Sequence, residues 1–523
     1  MNVLHNHYKR FPLNSIVAER EAEPFEIFIT RKGPALISGV NRVAIIQSVI
    51  RNIESGPHVV ELCSITSDTK LPKSSVFSAL EDMVAKNVLK YDSLNGKKGY
   101  SIDSYRILRT IDLQAQYSDF ARDIVVNAPE GYTFNRMMFE YVATAALAHG
   151  MDMTPIVKTV GYDFGRKMLK DYTDKEEALK ALISFYEEMD VATINIVSRL
   201  PLTVDISFTL RSVTGELARQ LSTFMLSSLT FAFSDECPIK IDKVDVDGSR
   251  VRGTFVECAK MDDFEIVPYD FRYDPGVKVD FMMYISKSGV YRSIENPLGL
   301  AIMDVMSTVT PMSSAEVTKA LDPSVRKPQS SVLFYLEKMI DMGLVNEMEI
   351  KGKRRFIKCA INLYDWSTGA ENCRYDPVSQ PLDRNSGEGP AFGCILTSSI
   401  LRLVTLNMSI EPVVRFIASS IANAFCDASD SKTIEAVMNK IAGKGHMLFL
   451  LDTSVTSFVP FTFVRRIPDD VNNVLARLFL VFDSEFYSTV LSRITGTNYN
   501  VQCKEHPIGN SKGYKLIFTQ QPL

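Results

Sequence analysis

The feature that most constrains this chain is that it matches itself. Shifted by about 256 residues, Phe25-Glu26-Ile27-Phe28-Ile29-Thr30-Arg31-Lys32-Gly33 falls on Phe281-Met282-Met283-Tyr284-Ile285-Ser286-Lys287-Ser288-Gly289. The stretch LPKSSVFSALEDMVAKNVL from Leu71 falls on KPQSSVLFYLEKMIDMGLV from Lys327, and NGKKGY (95–100) on KGKRRF (351–356). A weaker correspondence sets residues 151–165 on 408–422. Self-similarity at a fixed period predicts that whatever one half folds into, the other folds into too. We read two copies of one module, roughly 1–265 and 266–523.

Composition agrees with a globular chain of several domains. Of 523 residues, 46% are hydrophobic and 23% charged, which excludes a disordered or collagen-like polypeptide. At about 150 residues per domain the length predicts three or four cores. No apolar run reaches the roughly 18 residues of a spanning helix: Asp452 interrupts 447–464 and Arg477 interrupts 474–482. The N-terminal MNVLHNHYKRF lacks the apolar stretch of a signal peptide. Eight cysteines without a CxxC pair predict reduced thiols and a cytoplasmic protein. A net charge of −4 excludes a chain coated in basic residues, so any anion-binding surface must be local.

Each copy opens on a β-rich piece. Residues 25–37 turn at Lys32-Gly33-Pro34 and residues 279–294 at Ser288-Gly289, as β-hairpins that pack on the next domain. Val43, Ile46, Val49, Ile50 and Ile53 then fall on one helical face. A shorter helix is predicted near 59–65, and Pro72-Lys73-Ser74-Ser75 opens a third with Val76, Leu80, Met83 and Val84 as its apolar stripe. Asn95-Gly96 marks a tight turn between two strand-like runs. The second copy repeats the order at 302–306, 315–320 and 328–342, with a hairpin turning at Lys351-Gly352-Lys353. Helix, helix, helix, hairpin is the order of a winged helix-turn-helix domain.

The charges fall where such a domain needs them. Residues 70–100 hold six lysines against three acids, and residues 319–358 hold nine basic residues against five acids. Lys97 and Lys98 crowd one hairpin tip; Lys351, Lys353, Arg354 and Arg355 crowd the other. Flexible cations there suit a phosphate backbone, where each contact releases a counterion. At the third helices, Lys73, Ser74 and Ser75, and likewise Lys327, Gln329 and Ser330, are short polar or basic groups able to enter a major groove, with Gln329 able to pair with adenine.

Both segments resemble the winged helix-turn-helix transcription regulators of archaea and bacteria, through the PxSSVxxxLxxM helix and the basic hairpin after it, over about 65 residues per copy. The resemblance implies contact with double-stranded DNA through those twelve residues. Winged helices also serve as protein-interaction domains, and a basic hairpin tip is often a solvated turn.

The rest of each copy, about 150 residues, predicts helices at 135–149, 154–169 and 175–189, strands at 194–197 and 202–210, a helix at 214–228, and strands at 238–246 and 251–256. This α+β order, with Val160-Gly161-Tyr162-Asp163-Phe164-Gly165-Arg166 inside a helix, resembles the 4-vinyl reductase-like domain, related in fold to TRAPP subunits. That family implies a small-molecule sensor, and Phe134, Tyr162, Phe164 and Phe208 are candidates to line a pocket for a small apolar effector, although aromatics at helical spacing also serve as plain core. The second copy has Ala418 and Ala422 in place of Gly161 and Gly165. Cys237 and Cys258 lack neighbouring histidines, so the metal cysteines of some family members are not matched.

No GxxxxGK[ST], HExxH or GxSxG motif occurs, so the sequence predicts no cofactor, no metal and no enzyme. The expectation is an α+β chain built by tandem duplication: hairpin segment 1–39, winged helix 40–108, sensor-like domain 109–265, hairpin segment 266–295, winged helix 296–365 and sensor-like domain 366–523. Its expected function is a nucleoid-associated DNA-binding transcription regulator, without membrane contact, whose chains also form a homodimer. The alternative is a protein-interaction scaffold; an enzyme built on the α+β domain is a third and weaker reading.

Overall fold

Strand β1 (Phe25–Thr30) pairs antiparallel with β2 (Gly33–Ser38) across a two-residue turn, and every residue of β1 is buried. A computed structural model describes residues 24–56, 58–94, 96–110, 151–188, 191–209, 215–233, 239–257, 281–286, 291–308, 310–362, 411–428, 453–458, 460–466, 473–509 and 512–520, with isolated positions such as 267 and 402. One face of β1, carrying Phe25, Ile27 and Ile29, enters the largest apolar cluster; Phe28 on the other face enters a second cluster with Ala35 and Ile37. Alternation along a strand lets six residues serve two cores. The free edge of β1 is taken by β5 (Tyr105–Thr110), which is followed by β6 (Met151–Asp152), giving the order β2-β1-β5-β6. The boundary expected at 108/109 therefore falls inside β5, because an unpaired strand edge needs a partner.

Helices α1 (Val40–Ser55), α2 (Leu62–Thr69) and α3 (Lys73–Ala85) lead to the hairpin β3 (Leu89–Leu94) and β4 (Lys97–Ile102). Val43, Ile46, Val49 and Ile50 of α1 meet Val76, Leu80 and Met83 of α3 in the second cluster. The middle helix starts three residues later than the pattern predicts. Val60 is claimed by an antiparallel bridge to Tyr100, with both backbone hydrogen bonds at 2.9 Å. A one-residue strand leaves no periodicity to read, but it explains Gly99, where a Cβ would lie 2.5 Å from Val59.

The α+β piece follows as α4 (Thr154–Leu169), α5 (Lys175–Glu188), β7 (Ala192–Arg199), β8 (Leu202–Phe208), α6 (Gly215–Phe233), β9 (Ile239–Asp247) and β10 (Arg250–Glu257), with sheet order β7-β8-β10-β9. The predicted helix at 135–149 lies outside the described residues.

After residue 280 a similar order of elements follows among the described residues, without a described counterpart of β6 or α5. It runs β11 (Met282–Ile285), β12 (Tyr291–Ile294), α7 (Pro297–Val305), α8 (Ser314–Ala320), α9 (Gln329–Asp341), β13 (Val345–Ile350), β14 (Lys353–Lys358) and β15 (Ile361–Asn362). Next come α10 (Glu411–Ala428), β16 (Thr453–Phe458), β17 (Phe461–Arg466), α11 (Asn473–Thr495), β18 (Tyr499–Glu505) and β19 (Gly513–Gln520). β15 adds to β11 as β5 adds to β1, Met312 bridges Phe356 as Val60 bridges Tyr100, and the last sheet is ordered β16-β17-β19-β18. The turn expected at Ser288-Gly289 lies outside the described residues. Met283 enters the largest cluster and Tyr284 a third one, so β11 repeats the two-sided burial of β1. The largest cluster runs through both α+β pieces, and fully buried Arg402 donates to the Val267 carbonyl at 2.8 Å. The fold is α+β, with antiparallel sheets throughout.

Gly161 and Gly165 are set by a helix crossing. A Cβ on Gly161 would lie 2.3 Å from the backbone oxygen of Phe224 in α6, and one on Gly165 2.2 Å from that of Ser228. Where α10 packs on α11, Ala418 and Ala422 are fully buried at the corresponding positions. Replacing Gly161 or Gly165 by Ala should lower stability by about 1–3 kcal/mol through overpacking against backbone, read as a fall in the denaturation midpoint. Ala418→Gly adds no volume and should cost only about 1 kcal/mol of helix propensity.

Candidate nucleic-acid interface

The third helix of each half begins at a proline, Pro72 for α3 and Pro328 for α9, whose fixed backbone suits a helix start. Lys73, Ser74 and Ser75 are exposed on the first turn of α3; Lys327, Gln329 and Ser330 are exposed at the start of α9. Gln329 is not free to reach outward. Its Nε2 donates to Ser314 Oγ at 2.8 Å, beside the capping box in which Ser313 and Glu316 hold the start of α8.

The hairpin cations divide into two groups. Lys98 Nζ lies 3.9 Å from Glu81 of α3 and 3.7 Å from the centre of the Tyr91 ring, and Glu81 also accepts from the Tyr91 and Tyr100 hydroxyls. Exactly one repeat period later, Arg354 donates to Glu337 of α9 at 2.9 Å and through Nη2 to Glu347 at 2.9 Å. Lys97 lies 3.9 Å from Glu61, and Arg355 donates to Glu316. Four of the six hairpin-tip cations expected beside phosphate thus face carboxylates. Such exposed pairs add little to stability. Lys98 and Arg354 tie each hairpin to its third helix, while Lys97 and Arg355 tie it to the helix before.

Carboxyl and phenol groups register the same pairing. A hydrogen bond from Arg354 holds the Glu347 carboxyl below its ordinary range, and hydrogen bonds from Ser313, helped by Arg355, do so for Glu316. Burial, with Glu81 adding to it, pushes the Tyr100 hydroxyl up to about 12.

Lys73, Lys327, Lys351 and Lys353 are exposed and make no ion pair with a described residue. Lys351 and Gly352 both have positive φ (51° and 71°), the turn that leaves a two-residue hairpin tip projecting. Outward on the third helices stand two aromatic rings, Phe77 at 45% exposure and Phe334 at 62%.

A contact between the halves lies close by. Glu295, just before α7, accepts from Ser38 Oγ at 2.7 Å and from Lys86 Nζ at 2.9 Å, and Lys86 is the residue that ends α3. Lys86 also donates to the Leu36 carbonyl at 3.0 Å. Burial would raise the Glu295 carboxyl, but the hydrogen bonds from Lys86 and Ser38, with the charges of Lys86 and Arg42, outweigh it and hold it low. In the second half, Lys358 is buried, donates to the Met303 carbonyl at the end of α7 at 3.1 Å, and is pulled down to about 8 by desolvation.

Of the residues expected to line an effector pocket, Phe164 and Phe208 are buried among the described residues. Phe164 packs at 5.5 Å from Phe185 and 5.3 Å from Phe224 between ring centres, and Phe208 is buried in β8. Tyr162 is half-buried, and Phe134 lies outside the described residues. A cavity of about 570 Å³ opens elsewhere, near the β7–β8 turn, with Leu179, Ile196, Leu200, Ile239 and Phe255 among its walls. Phe164 is packed ring against ring as a core residue.

The chain matches no family model, no curated protein and no solved structure. Among the described residues no helix is long and apolar enough to cross a membrane, and no three His, Cys, Asp or Glu side chains gather as a metal site.

Two outcomes follow from Glu295 and Lys358. Glu295→Gln, at a half-buried and partly screened site, should destabilise by about 1 kcal/mol at pH 7. Because the folded carboxyl is held low, its contribution is full above the ordinary value of 4.5 and is lost as the pH falls through the folded value, so the two proteins' denaturation midpoints should converge in acid. Lys358 gives a slope of the same sign in a different pH window. Its folded value of about 8 lies below the ordinary 10.5, so wild type should gain stability relative to Lys358→Met as the pH rises across that window.

Proposed function

We propose that the chain is a DNA-binding transcription regulator whose two winged-helix readers arose by tandem duplication, each fastened to an α+β companion. The observation that carries this reading is the pair of equivalent clasps, Glu81–Lys98 and Glu337–Arg354, one repeat apart. Each ties a basic hairpin to a third helix whose polar first turn is exposed. The clasps leave Lys73, Lys327, Lys351 and Lys353 outward as the cations for phosphate, while Lys98 and Arg354 act as positioning residues.

Two readers in one chain work as a built-in pseudo-dimer, so favoured sites lie about one helical turn apart or a multiple of it. The α+β pieces, joined through one apolar cluster, hold that spacing. A small apolar effector belongs, on this reading, at the cavity by the β7–β8 turn, and it acts only by binding one arrangement of the readers better than another. A homodimer would present four readers.

A second reading, a protein-interaction scaffold, is favoured by the neutralised arginines Arg354 and Arg355 and by the exposure of Phe334. Gel shift across a salt series separates the two. For a DNA reader, each of Lys73→Ala, Lys327→Ala, Lys351→Ala and Lys353→Ala should weaken binding across all sequences and reduce the slope of log affinity against log salt by about 0.9. Absence of binding to any duplex at low salt, or slopes unchanged in all four variants, would overturn it.

A further inference from the structure

The third helices carry a feature that phosphate contact does not use. Opposite the stripe Val76, Leu80 and Met83, the outward face of α3 presents Ser74, Phe77, Ser78 and Glu81. Opposite Val332, Leu336 and Met339, the outward face of α9 presents Ser330, Phe334 and Glu337. A single exposed apolar side chain is ordinary on a protein surface. Here each third helix carries one exposed aromatic about one turn beyond a serine of its first turn, the two rings one position apart in the repeat and so about 100° apart around the helix. Neither helix offers a contiguous exposed apolar patch there: the i±3 and i±4 neighbours are Lys73, Ser74, Glu81 and the fully buried Leu80 for Phe77, and Ser330, Ser331, Glu337 and Lys338 for Phe334.

What such a ring can meet is limited by its surroundings. Lys73, Lys327, Lys351 and Lys353 give these faces unpaired positive charge, which complements a polyanion. Both carboxylates beside the rings have a basic partner, Glu81 with Lys98 and Glu337 with Arg354, although Arg354 is shared with Glu347. In a major groove the apolar group that distinguishes one base from the others is the C5-methyl of thymine. Resting on the DNA-reading proposal above, we infer that Phe77 and Phe334 are specificity residues that pack on thymine methyl groups and give each reader a preference for thymine at the position its third helix meets.

The test uses the full chain and duplexes differing only in that methyl. Binding at low salt is measured to an alternating adenine–thymine duplex and to the same duplex with uracil for thymine. Wild type should bind the thymine duplex about fourfold tighter per methyl contacted, the value of one buried methyl-sized group. Phe77→Ala with Phe334→Ala should bind both duplexes equally, near the wild-type affinity for uracil, while Phe77→Leu with Phe334→Leu should keep most of the preference. Both positions are exposed, and circular dichroism of each variant checks that the fold is kept. Equal wild-type binding to both duplexes overturns the inference, as does a preference that survives in the alanine variant, and either leaves the DNA-binding reading standing. Failure of wild type to bind either duplex overturns the DNA-binding reading itself, and with the alanine variant losing a protein partner instead it assigns the rings to protein contact.

Discussion

Six buried residues of one strand hold the molecule together. Because β1 gives Phe25, Ile27 and Ile29 to one core and Phe28 to another, the three-helix unit and the α+β piece share a layer rather than a linker. The second face also carries two buried polar residues: Thr30, whose hydroxyl donates to the Gly33 carbonyl at 2.8 Å, and Glu26, beside Arg106 of β5 at 3.7 Å and accepting from Gln47 of α1 at 2.9 Å. Burial raises its carboxyl despite both partners. A charged side chain in that position is tolerated only with such partners, so the layer is specified as well as apolar. β11 repeats the arrangement with Met283 and Tyr284, but with Met282 where β1 has Glu26.

The clasps between hairpin and third helix work at a different energy scale. An exposed ion pair adds little to stability, and salt weakens it further. Its geometric consequence is larger, because a hairpin held at one angle presents its tip in one place. On the proposed reading this separates two roles that look alike in a list of basic residues: Arg354 orients the tip and Lys353 meets the backbone.

Element order was largely legible in the sequence, because it rests on local periodicity. α4 spans the predicted 154–169, and the two hairpins around α6 lie within a residue or two of their predicted positions. What periodicity could not show was pairing at long range. Nothing near Val60 announces its bridge to Tyr100, and nothing near Tyr105 announces that it completes the sheet begun at Phe25. At the candidate site the exposed first-turn residues were legible, but the fate of Lys98, Arg354 and Gln329 was not, since each depends on a partner from another element. Phe77 and Phe334 were missed because a helical pattern assigns aromatics inward; their places opposite the buried stripe were the available signal. Gly161 and Gly165 drew attention as part of a sensor-like motif, and close approach of α6 accounts for them.

The bridge at Glu295 is one-sided. At the position 256 residues earlier stands Gly39, with no side chain and a φ of 91°, so among the described residues this contact is not repeated in reverse there. A true two-fold dimer cannot do this, since each of its subunits must offer the other the same contact. The molecule consequently has a front and a back, and any symmetric object it engages will be met by two unequal hands.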